Sequence, residues 1–183
     1  MNELMASRPE VDLLAESEAQ AKAAAAASAD PEGLGRENRA CEVATLCAHA
    51  ALEAFINREG YDRAKALWEA HERLDLPQKW RTILEQLTKS PVDMGSGTAQ
   101  AIKRLCRDRN AIAHYKGAGT PSSPEFFGQP TPMNRKAGRV NVSPTRAYWT
   151  AALAARHAQA VRRAMNDFFA AVGESTPEWL LNA

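Results

Sequence analysis

Between Arg39 and Asn57 the chain carries Val43, Leu46, Cys47, Ala50, Leu52, Ala54, Phe55 and Ile56. Advancing about 100° per residue, as an α-helix does, spreads these side chains around most of the circumference. A helix apolar on nearly every side must be enclosed by other elements. The sequence therefore requires a central helix with neighbours around it. Composition agrees, because alanine is abundant while Val, Ile, Thr and Tyr are scarce, which favours helix over strand. At 183 residues the chain is long enough for one domain with appendages. The expected fold is all-α, a bundle of four to five helices with a long loop before the last one.

In chain order, residues 1–38 form an acidic, alanine-rich helical arm ended by Asp30-Pro-Glu-Gly33, and residues 39–183 form the bundle. Gly60 is expected to stop the central helix. Tyr61 to Leu74 and Lys79 to Leu87 follow as amphipathic helices separated by Leu76-Pro77. Thr98 is the expected N-cap of the next helix. Residues 117–142, rich in Gly, Pro and Ser, read as a loop that is either functional or a disordered insertion. Ser143-Pro144 reads as the start of the last helix, which Gly173 ends. Its core stripe includes Trp149, Leu153, Val161, Met165 and Phe168, and Arg156, His157, Arg162 and Arg163 make a basic outer face. The apolar tail Pro177 to Leu181 docks on the body or on a second subunit.

The stretch from Ile102 to Lys116 carries the chemistry. With Leu105 at zero, Ile102, Cys106, Ile112 and Ala113 share one apolar arc, and Arg109 lies in its middle. A guanidinium cannot be neutralised near pH 7, so Arg109 needs an anion, either a carboxylate of the fold or a ligand phosphate. Lys103, Arg107, Asn110 and His114 gather on the other side. On the central helix His49, Glu53 and Asn57 form a narrow polar stripe. It is either a solvent-facing edge or the place where Glu53 meets Arg109.

Residues 1–38 hold eight acidic and three basic side chains, whereas residues 131–163 hold seven basic and no acidic ones. The asymmetry suits a polyanionic partner or a solvated basic face. Three scattered cysteines, Cys41, Cys47 and Cys106, fit core thiols of a reducing compartment. No stretch is long and apolar enough to span a bilayer, and the reading is cytoplasmic with no membrane partner. The four histidines show no metal-ligand spacing, so no metal is expected. The glycines near residue 95 lack a phosphate-loop pattern.

Arg109-Asn110-Ala-Ile-Ala-His114 resembles the signature of the HEPN superfamily: an arginine, commonly a polar residue next, then a histidine late in a helix and before a loop. Ala51 to Asn57 is similar to the second helix of such domains, where a carboxylate often supports the motif arginine. The resemblance covers roughly residues 39–172. It implies a metal-independent endoribonuclease that needs no cofactor, of the kind found in toxin–antitoxin, phage-defence or RNA-processing systems and acting as a homodimer. It implies equally a non-catalytic module that binds RNA, nucleotide or a protein partner such as an antitoxin.

On this resemblance Arg109, Asn110 and His114 are the catalytic group and Glu53, Asn57 and Arg107 support it. Lys103, Tyr115 and Lys116 then hold RNA. The 2′-hydroxyl of the substrate would attack, with histidine moving protons and arginine steadying the phosphorane. On an ideal helix Arg109 and His114 stand about 140° apart. Local distortion, the reach of the arginine, or pairing across a dimer would bring them together.

Overall fold

The computed structural model describes residues 8–30, 32–71, 73–113 and 149–181, which form helices and no strand. The helices are α1 (Pro9–Ser28), α2 (Leu34–His71), α3 (Leu76–Thr88), α4 (Gly97–Ala113), α5 (Ala151–Ala171) and α6 (Glu178–Leu181). His114, Tyr115, Lys116, the loop at 117–142 and the Ser143-Pro144 helix start lie outside the described residues.

α1 buries Glu10, Leu14, Ser17, Ala21 and Ala24, alternately four and three residues apart, on a single seam. Most of these side chains are small, so α1 lies close along α2: Ser17 Oγ donates to the Ala44 carbonyl at 2.9 Å. The pairing is antiparallel, with Glu10 meeting Arg58 at one end and Asp30 meeting Arg36 at the other. Gly33 closes the turn, where a Cβ would stand 1.9 Å from the Ala27 carbonyl oxygen. The arm is thus part of the body, and α2 begins at Leu34 rather than Arg39.

α2 is the central element, and it touches α1, α3, α4 and α5. Gly60 does not end it. The break comes at Ala64, whose φ of −142° and ψ of 35° leave the helical region. Residues eight apart on a straight helix are about 12 Å apart along the axis. The break lets Trp68 lie against Gly60, where a Cβ would stand 2.3 Å from the indole. Gly60 is required for clearance, not for stopping the helix.

Phe55 of α2 meets Phe168 and Phe169 of α5 edge to face, at 5.2 and 5.7 Å between centroids. Trp80 and Ile83 of α3, with Ile102 and Leu105 of α4, complete this core. A second cluster joins Ala21 and Ala24 to Cys41, Trp149 and Leu153. α3 starts on a capping box in which Asp75 accepts from the Gln78 amide at 2.9 Å. α5 starts at Ala151 on the Thr150 cap, so Trp149 precedes it.

α6 docks on the body through Leu180, which is buried. Arg162 of α5 reaches Glu18 of α1 at 2.7 Å and the Leu180 carbonyl at 2.6 Å. No described helix is long and apolar enough to cross a membrane.

Candidate functional site

α4 is started by Ser96, not Thr98: Ser96 Oγ accepts from the Ala99 amide at 3.3 Å, while Thr98 Oγ turns to Asp167 of α5. Its buried face comprises Ala99, Ile102, Leu105 and Asp108. Asp108 was not among the sequence candidates, yet it is 0% exposed.

The partner that makes this tolerable is His157 of α5, 1% exposed, whose Nε2 lies 3.0 Å from Asp108 Oδ2. The expectation that His157 belongs to a basic outer face is therefore wrong; it points inward between Arg156 and Ala158. Burial pushes its pKa below the ordinary 6.5, against the pull of Asp108. His157 Nε2 donates to the carboxylate, and its Nδ1 lies 3.0 Å from Thr45 Oγ. Thr45 Oγ also lies 2.9 Å from the Cys41 carbonyl. An aspartate, a histidine and a threonine from three helices thus fix the height and rotation of α4 just before the motif residues.

Arg109 and Asn110 follow on the next turn. The expected ion pair between Arg109 and Glu53 is not formed. Arg109 Nη1 donates instead to Asn110 Oδ1 at 3.1 Å, on the exposed side of the helix. Among the described residues no carboxylate lies within ion-pair distance of Arg109. Its charge contributes to lowering the pKa of His49, after burial as the larger cause. Arg107, also exposed, has Nε 3.2 Å from Asp108 Oδ1.

Glu53 is occupied by Lys79 of α3, an unexpected residue only 4% exposed. Its Nζ donates to Asn57 Oδ1 at 3.0 Å and lies 3.6 Å from Glu53 Oε1 and 5.5 Å from the Trp68 ring centroid. Glu53 also approaches His49 Nδ1 at 3.8 Å. The polar stripe on α2 is thus neither a bare edge nor an arginine clamp; it is the seat of a buried lysine. Cys106 of α4 is near this group, its thiol pushed up to about 12, first by burial and then by Asp75 and Glu53.

Lys103 is exposed, and its Nζ donates to the Met94 carbonyl at 3.0 Å. Together with Arg107 it lines a cleft between α4 and α5, on the side of α4 away from Glu53. The described structure therefore brings Arg107, Arg109 and Asn110 to one end of α4 and places Glu53 and Asn57 in a separate lysine-centred group. Among the described residues no group of three or more His, Cys, Asp or Glu side chains could hold a metal ion. No protein-family model, curated protein or solved structure matches this chain.

Proposed function

We propose that the chain is a metal-independent endoribonuclease of HEPN type, with Arg109, Asn110 and His114 as its reacting group. The observation that supports this most is the state of Arg109. A half-buried guanidinium, held by an amide oxygen and matched by no carboxylate among the described residues, is suited to a phosphate. Asn110 orients it from one side, and the Asp108–His157 contact fixes the helix that carries both. His114 is four residues beyond Asn110 in the sequence.

In the proposed reaction the ribose 2′-hydroxyl loses its proton to one histidine and attacks the adjacent phosphorus. The 5′-oxygen leaves with a proton from a second histidine, and the products are a 2′,3′-cyclic phosphate and a free 5′-hydroxyl. Arg109 steadies the charge that accumulates on the phosphorane oxygens. One chain supplies one motif histidine, so the enzyme works as a homodimer, with an antitoxin-like protein as a natural restraint. The proposed place of action is the cytoplasm.

The second reading is a binding module without chemistry, which the cation-lined cleft beside α4 would serve equally well. Cleavage of a mixed RNA pool in chelator, by wild type, His114→Ala and Arg109→Gln, separates the two. Cyclic phosphate ends from the wild type alone support the enzyme. Salt-dependent binding with no products from any of the three supports the module. A strictly monomeric but active wild type would overturn the paired-histidine mechanism.

A further inference from the structure

The cleft between α4 and α5 has a volume of about 440 Å³, and Lys103, Arg104 and Arg107 line it from α4 while Arg156 lines it from α5. No carboxylate is among its lining side chains. The nearest one along the chain, Asp108, is fully buried and engaged with His157 and Arg107. Lys103 is tethered to a neutral carbonyl, which leaves its charge uncompensated. Arg104 and Arg156 form no ion pair among the described residues. Both guanidinium charges help depress the pKa of His157, which also lines the cleft, so they converge above one imidazole.

Exposed cations on both walls of one cleft, with no carboxylate among its lining, make a positive surface that favours a bound anion. Of the acids on α1, Glu10 and Glu18 are paired with Arg58 and Arg162, and none of that helix's carboxylates lines the cleft. Gly97, at the positive end of the α4 dipole, closes the cleft at its far end.

We infer that this cleft binds the backbone phosphates of single-stranded RNA and leads the strand along α4 toward Asn110. From Gly97 to Arg107 the helix rises about 15 Å. That length matches roughly four stacked nucleotides at about 3.4 Å each. Lys103, Arg107 and Asn110 share one flank of α4 at spacings of four and three residues, so a strand on the first two reaches the third. The inference rests on RNA being the ligand, not on its being cleaved.

The test is fluorescence anisotropy of a short labelled 2′-O-methyl oligouridylate, which lacks the nucleophile, titrated with the full chain over a range of sodium chloride. Three cations without an ion pair among the described residues, Lys103, Arg104 and Arg156, give a slope of log affinity against log salt near −2.1, at about −0.7 per phosphate. The variant Arg104→Gln/Arg156→Gln should bind more weakly throughout and lose about 1.4 of that slope. Arg81→Gln, on the exposed side of α3, should leave the slope unchanged.

Thermal melting by circular dichroism establishes that each variant is folded. A wild type that binds no RNA, or a double variant with the wild-type slope and affinity, overturns the cleft assignment. The latter result alongside wild-type cleavage of natural RNA leaves the ribonuclease reading intact. The expected loss of slope without any cleavage supports the cleft and removes the ribonuclease.

Discussion

Replacing His157 by leucine removes two contacts from a buried site. The first is the 3.0 Å contact to Asp108, a hydrogen bond to a charged group worth about 1.5–3 kcal/mol. The second is the 3.0 Å contact to Thr45, worth about 1 kcal/mol. Leucine is near enough in volume to leave little cavity, so the expected cost is roughly 3–4 kcal/mol, the range for breaking a buried pair from one side. For a chain of this size that lowers the melting temperature by about 6–16 °C.

The double variant Asp108→Leu/His157→Leu has no buried charge left and should recover much of the loss, because apolar replacement of both partners is often neutral or better. Urea denaturation of wild type, both single variants and the double variant, followed by helical circular dichroism, gives the cycle. The expected coupling is at least about 1.5 kcal/mol. A His157→Leu cost under about 1 kcal/mol, or single costs that simply add, would refute the buried-pair account.

Three further outcomes follow from the same structure. Burial lowers the pKa of His157, and of His49 for the same first cause, so the unfolded chain binds protons that the folded chain refuses. Their contribution is complete above the ordinary value of 6.5 and is lost as pH falls through the folded values; urea midpoints from about pH 5 to 8 should rise with pH, less steeply in His157→Leu. Gly60→Ala puts a methyl group 2.3 Å from the Trp68 ring and should cost about 1–3 kcal/mol in thermal melts; an unchanged melting temperature would show that Trp68 does not rest there. Arg109→Gln breaks no ion pair among the described residues and should alter stability by less than about 0.5 kcal/mol while lowering RNA cleavage 10²- to 10³-fold; a large loss of stability would mean the arginine is structural.

The helices were legible because their apolar spacing is strong, and α2 was recognisable as central because so little of it is polar. The boundaries were less so. Gly60 carries the usual mark of a helix end, but the demand at that point is room for an indole eight residues on. Ala64, where the backbone does break, has no local signal at all. At the candidate site Arg109 and Asn110 stand together on α4, but the expected pairing of Arg109 with Glu53 does not form.

Lys79 explains that error. Nothing in its neighbourhood shows that an ammonium group between Gln78 and Trp80 folds inward to claim Glu53. Asp108 and His157 were hidden by their surroundings, arginines on both sides of one and Arg156 before the other. Asp108 was within reach of periodicity, lying three residues from Leu105 on the buried side of α4. A single carboxylate among cations attracts attention to the cations. The alanine seam of α1 was undervalued because small side chains contribute little area; their value is in how closely they let two backbones approach.

The bridge from Arg162 to Glu18 has a bearing on how the chain is made. The two residues are 144 positions apart, so α1 leaves the ribosome long before α5 arrives. α1 and α2 can pair at once across their short turn, a local step with little loop entropy. Phe55 has no such early partner, since the rings that cover it, Phe168 and Phe169, come more than a hundred residues later. A ribosome stalled in the stretch before Trp149 therefore displays α1 to α4 without α5, with the face that Phe168 and Phe169 cover left bare, a form suited to chaperone capture and exposed to aggregation.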